Sequence, residues 1–375
     1  MEALKIFFSL NRKKPEVKQI EPEKKDPKLI RETEVIKFFE KFENTEELLI
    51  PSTFGINYGS YGIEIFKKHL ENNKELQKLE IKFVIGAKWS KEIFNSISKH
   101  SNIKILDISN ICLESDECIF IAELLKNNKT ITDLNLSNNR IGNGSFLLAD
   151  GLTQDSTLKK LKLRNNEDAN IDSILHQIIK NDSLTFLDVS KSRYFDLKNI
   201  NEYLSKTSNL KSLIIESCLK DNPFSKFSNF IDSLENNSSL TELDISNNIL
   251  SPKSILQIFG SLKSKKNIKI FKMNHIRLTP DLIDDFGKFI QENTSLKIFS
   301  FINCFKFEND LGVDHLIDYL MYNDTLIDLN IFEINENSVL EYLLERNRVF
   351  NENLNQFHCR ESWSRNEDLN FNFRN

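Results

Sequence analysis

The side chains able to do chemistry unaided are the histidines His69, His100, His176, His275, His315 and His358 and the cysteines Cys112, Cys118, Cys218, Cys304 and Cys359. Nucleophilic catalysis needs a thiol or hydroxyl within reach of a base, and a metal needs three or four such ligands converging. Neither arrangement is present in the spacing. The cysteines are scattered, odd in number and form no CxxC pair, so they read as reduced packing residues and not as a disulfide framework or a zinc site. Four of the histidines fall in segments of helical period and do not line up with carboxylates or thiols. No GxxxxGK[ST] loop, GxSxG elbow, HExxH helix or dinucleotide fingerprint occurs. The nearest glycine-rich stretch, RIGNGS from Arg140, fits a turn better than a phosphate cradle. The sequence therefore predicts no catalytic residues, no metal and no cofactor.

Chemistry of another kind lies in rows of charged and apolar residues, and their placement follows from an internal repeat. LTELDISNNIL from Leu240 and ITDLNLSNNRI from Ile131 share one pattern, with apolar residues at the first, fourth and sixth places and Asn at the ninth. Copies begin at Thr45, Leu76, Ile103, Ile131, Leu158, Leu184, Leu210, Leu240, Ile268, Leu296, Leu326 and Leu354. Their mean spacing is about 28 residues, within the range of leucine-rich repeats. The LxxLxL part alternates with period two, as a strand with one buried face does. The later part of each copy, for example FSNFIDSLENN or LIDDFGKFIQEN, spaces apolar residues three and four apart, as an outer helix does. The recurring Asn at the end of these helices is expected to close them in the left-handed conformation.

Strand followed by helix, repeated, stacks parallel strands side by side. Strands lie about 4.8 Å apart and helices about 8–10 Å, so the array bends with the sheet inside. The fold class expected is an α/β leucine-rich repeat solenoid, a horseshoe with a parallel concave sheet and outer helices. The LxxLxLSNN cores at 131 and 240, with tails such as SLENNSSL and FIQENTSL, resemble the long-repeat, ribonuclease-inhibitor-like leucine-rich proteins over roughly residues 45 to 359. That resemblance implies a fold shared by ribonuclease inhibitor, tropomodulin-like actin cappers, the Ran GTPase-activating protein, innate immune sensors and secreted bacterial effectors. It does not imply one task.

Around the repeats, residues 1–28 read as a flexible segment and linker, with three prolines, seven basic and four acidic residues between 11 and 28. Residues 29–44 place Val35, Phe38, Phe39 and Phe42 on one helical face, as a cap over the first repeat. Residues 45–360 form the repeat domain, and 361–375 a polar tail. No segment has the length of a membrane span, and the opening residues lack a secretory cleavage site. A cytoplasmic location is the expectation, or delivery into a host if the source is an intracellular bacterium, since abundant Asn, Lys, Ile and Phe suit an AT-rich genome. With 50 basic and 55 acidic residues no overall positive field exists to hold nucleic acid.

In such strands the third, fifth and seventh places face the concave side. Read along those places, Asp107, Asp133, Asp188, Glu216, Glu242 and Asp244 make an acidic middle crossed by Lys160, Lys162 and Arg164. Towards the carboxyl end the same places hold Ile270, Ile298, Ile302 and Phe332. An apolar cluster on an open sheet is unnecessary for folding and marks a binding site. The expectation is a monomeric, non-enzymatic scaffold that binds a protein, a basic one steered by the acids, through the apolar cluster. The alternatives that the resemblance raises are GTPase activation and actin capping.

Overall fold

A computed structural model describes residues 27–352 apart from 155–156, 167, 181, 193–195, 220–223, 305–310 and 331–339. The chain is an α/β leucine-rich repeat solenoid. One parallel sheet runs in sequence order through β1 (Glu47–Ile50), β2 (Lys78–Ile81), β3 (Ile105–Asp107), β4 (Asp133–Asn135), β5 (Lys160–Lys162), β6 (Phe186–Asp188), β7 (Ser212–Ile214), β8 (Glu242–Asp244), β9 (Ile270–Lys272), β10 (Ile298–Ser300) and β11 (Asp328–Asn330). Every strand begins at the third place of its copy, and the third places pair with one another from Glu47 to Asp328. The copy beginning at Leu354 lies outside the described residues.

Fourth and sixth places fill the space between sheet and helices. Leu48, Leu79, Leu106, Leu134, Leu161, Leu187, Leu213, Leu243, Phe271 and Phe299 at the fourth place are all buried. Towards the carboxyl end phenylalanine replaces leucine and isoleucine: Phe271 and Phe299 stack at 5.5 Å, with Phe286, Phe289 and Phe301 against Phe299. The helix Pro27–Glu40 covers the first repeat, with Val35 and Phe39 buried and Phe39 packed on Phe54, Phe66 and His69. It starts two residues before the expected cap because proline, which lacks the N–H that a first helical turn leaves unpaired anyway, suits that position.

Three side-chain devices repeat along the array. The first is at the eighth place, where Asn110, Asn138, Asn165, Lys191, Ser217, Asn247, His275 and Asn303 all have positive φ between 55° and 61°. The chain must turn out of the strand there through the left-handed region, which Asn tolerates better than most residues. The second is at the ninth place. Asn139, Asn166 and Asn248 donate their amides to the sixth-place carbonyls of their own and the preceding repeat. Cys218 and Cys304 hold the same place and donate thiols to Val189 and Met273.

The third device corrects the expectation for the helix ends. Asn73, Asn128 and Asn293 are extended, with φ near −80°, and are not left-handed. Each lies three residues before the first place, its amide donating to carbonyls of the preceding repeat and its oxygen accepting from the N–H groups ahead of the next strand. Asn237 and Asn323 repeat the arrangement. Asn is needed here as a bridge with both donors and an acceptor. The glycine-rich stretch has a packing cause as well: Gly142 has φ +47°, and a Cβ on Gly144 would stand 2.6 Å from the Cys118 thiol and the Ser115 carbonyl.

Candidate functional site

The concave face is built from the third and fifth places of the strands and the seventh places just beyond them. The acidic residues on it are largely occupied. At the fifth place Asp107, Asp188 and Asp244 each accept the N–H of the seventh-place serine, at 2.9, 3.0 and 2.9 Å. Asn135 does the same for Ser137 at 3.1 Å, so in these four copies the fifth place uses an Asx oxygen and not a charge. Asp188 is buried, against the expectation that it lies open, because its carboxylate folds back onto this turn.

Glu47, Glu80, Asp133, Glu216 and Glu242 sit in ion pairs along and across the strands. Glu47, Lys78, Glu80, Lys82 and Asp107 alternate in one chain of contacts of 3.0 to 3.6 Å across β1, β2 and β3. Asp133 pairs with Lys160 at 2.9 Å, and Glu242 accepts from Lys272 at 2.8 Å and from Ser212 at 2.8 Å. Glu216 pairs with Arg164 across the intervening repeat, over Ser190, a seventh-place residue small enough to leave the path clear. That pair and the Asn247 amide hold the Glu216 carboxyl below its ordinary range. Asp107 is likewise lowered, as hydrogen bonds from Ser109 and the Lys82 charge outweigh the opposing effect of its burial. Burial raises Asp244, against the hydrogen bonds from Ser246.

At the carboxyl end Ile270 and Ile298 are partners in register on β9 and β10, flanked in the same row by Glu242 and Asp328. Both are half-buried, as is Ile302, whose N–H donates to the Asn274 side chain at 2.8 Å. They are less open than the sequence suggests, since the short spacing of strands makes each side chain shield the next. Phe332 lies outside the described residues. The most exposed apolar residues of the face are elsewhere, Leu49 at 51% and Ile105 at 40%. The third-and-fifth-place rule would have found them.

Among the groups that could have been nucleophiles, three thiols and His100 serve the scaffold. Burial pushes the thiols of Cys118, Cys218 and Cys304 up to about 12, away from the reactive thiolate. His100 occupies the helix-end bridging place, its Nδ1 accepting the N–H groups of Asn102 and Ile103 at 3.2 Å and its Nε2 lying 2.9 Å from the Asn73 carbonyl. Among the described residues no three His, Cys, Asp or Glu side chains gather as a metal site, and no helix is long and apolar enough to cross a membrane.

No family model matches the sequence, and no curated protein matches it. Solved structures of similar trace include an internalin, a tropomodulin domain and a leiomodin domain. An internalin from Listeria monocytogenes is 16% identical, with TM-score 0.40, covering 74% of this chain and 68% of its own. The tropomodulin C-terminal domain of Caenorhabditis elegans is 15% identical, with TM-score 0.37, over 43% of this chain and 99% of its own. The actin-binding site 2 domain of leiomodin-1 is 16% identical, with TM-score 0.28, over 44% and 80%. The repeat register and the asparagine ladders are the firm ground for the fold.

Proposed function

We propose that this chain is a non-enzymatic scaffold of the long-repeat, ribonuclease-inhibitor-like kind that binds a protein partner on its concave face. The observation that carries the reading is that Ile270 and Ile298 stand side by side in register, two large apolar side chains on a sheet face whose third and fifth places are mostly polar. Interfaces concentrate their energy in a few such anchors ringed by polar residues, here Glu242, Lys272 and Asp328. The acids of the middle of the face are occupied by turns and ion pairs, so their part is to order the surface, and steering of a basic partner is secondary.

The test is affinity capture from the native cell followed by the same capture with Ile270→Ser and Ile298→Ser together. The captured protein should be lost at least tenfold while the double variant still unfolds cooperatively. Undiminished capture by that variant rejects the site. GTPase activation and actin capping are separable by turnover with a panel of small GTPases and by pointed-end elongation rates, and activity in either assay would replace this reading.

A further inference from the structure

The edge of the sheet where the strands begin carries a feature of its own. The second places of the repeats join in one continuous backbone ladder: Gln77, Lys104, Thr132, Lys159, Thr185, Lys211, Thr241, Lys269 and Lys297 each donate an N–H to the carbonyl of the residue before in this series, at 2.7 or 2.8 Å, beginning from Glu46. Neighbours in the series are therefore one strand spacing apart. Lysine and threonine alternate along it from Lys104 to Lys269. The threonine hydroxyls turn back onto the chain, Thr132, Thr185 and Thr241 donating to the carbonyls of Lys104, Lys159 and Lys211. The lysines Lys104, Lys159, Lys211 and Lys269 are exposed.

The charges of this edge behave differently from those of the concave face. Lys78, Lys82, Lys160, Arg164 and Lys272 have carboxylate partners, and Lys162 lies over the Phe186 ring. Among the described residues none of the four edge lysines is in an ion pair; Lys104 reaches the Gln77 amide oxygen and Lys269 the Lys266 carbonyl. The exposed Lys129 and Lys266 add to the same edge. Asp182, the acid in the corresponding turns between repeats three and ten among the described residues, is taken up by Thr207, Ser208 and Asn209. A row of unneutralised like charges on a chain that is net acidic is a field with a direction.

Alternation on a strand ladder sets the lysines about 9.6 Å apart, twice the strand spacing. An extended polypeptide in the polyproline II conformation returns to the same face every third residue, after about 9.3 Å. A nucleic-acid strand offers charges closer together than this, so the spacing favours a peptide. We infer that the strand-start edge from Lys104 to Lys269 binds an extended acidic peptide segment with carboxylates at every third residue. The inference rests on the protein-binding reading but uses a separate surface, so the isoleucine variant above should leave it intact.

The probe is a fluorescein-labelled peptide of about twelve residues, roughly 37 Å in polyproline II, with Glu at every third position and Pro and Gln between. Fluorescence anisotropy with the full chain should show binding that weakens with added salt. A peptide of the same composition with its glutamates contiguous should bind at least fivefold more weakly. Lys159→Glu with Lys211→Glu should weaken the spaced peptide at least tenfold with an unchanged melting curve. Lys68→Glu with Lys91→Glu, an equal charge change at exposed positions of the outer helices Phe54–Asn72 and Ala87–Lys99, should leave binding within twofold. Equal affinity for the two peptides, equal loss in both charge variants, or tighter binding of a single-stranded RNA of matched charge would each overturn the inference.

Discussion

The side-chain amide of Asn248 donates to the backbone carbonyl of Ile215, one repeat back along the chain, at 3.0 Å. The same amide reaches the Ile245 carbonyl of its own repeat, and its oxygen accepts the N–H groups of Cys218 and Leu219. One buried side chain thus satisfies four backbone groups that the turn after the strand would leave orphaned. Asn248→Ala should lower unfolding free energy by about 3 kcal/mol or more, because each abandoned group costs about 1–3 kcal/mol. Asn248→Cys should cost less, as Cys218 and Cys304 donate from the same place. Urea unfolding of the two variants measures the difference, and equal losses would contradict the ladder.

Next to it, Asn247 is left-handed, with φ 58°. Asn247→Gly should fold within about 0.5 kcal/mol of the wild type, and Asn247→Val should lose about 1–2 kcal/mol, since a β-branched side chain is strained there. Thermal melts that ranked valine above glycine would mean the turn relaxes to another conformation.

Strand register is checked by two adjacent positions. Leu243 is fully buried, so Leu243→Ala should cost about 2–5 kcal/mol. Glu242 faces the concave side in an ion pair with Lys272, and Glu242→Ala should cost less than about 1 kcal/mol. Comparable losses in denaturant unfolding would show the faces to be exchanged.

Acid should weaken the amino-terminal repeats first. Burial, with the neighbouring His100 adding to it, lowers His69 to about 4, and burial lowers His100 despite its bond to the Asn73 carbonyl. A histidine with a depressed folded-state value favours folding in its neutral form, so its contribution is complete above about pH 6.5 and is lost as pH falls towards 4. Protonated His100 would also direct an Nδ1 proton at the N–H groups of Asn102 and Ile103. The midpoint of urea unfolding should fall between pH 6.5 and 4, and His69→Gln with His100→Asn should flatten that fall. An unaltered pH profile in the double variant would assign acid sensitivity to other groups.

What the sequence determined by itself is everything that follows from period. The apolar first, fourth and sixth places recur at near-constant spacing, and the burial of Leu243 and Phe271 and the pairing of Ile270 with Ile298 follow from alternation along a strand and identical register between copies. Even the exposure of Leu49 and Ile105 was legible by that rule. Tertiary structure decided what most of the polar residues do, because partners such as the Ile215 carbonyl for Asn248 and the Arg164 guanidinium for Glu216 lie a repeat or more away, and a hydrogen bond has no period in the sequence. The same letter, Asn, is a left-handed turn at 247, a rung at 248 and an extended bridge at 293, separated by which backbone groups the neighbouring repeat presents. Asp188 and Asp244 read as charges open to a partner, and the fold turned them onto their own backbone. The row of edge lysines became a feature only when the second places of successive copies were brought one strand spacing apart, since residues about 28 apart in the chain share no local signal.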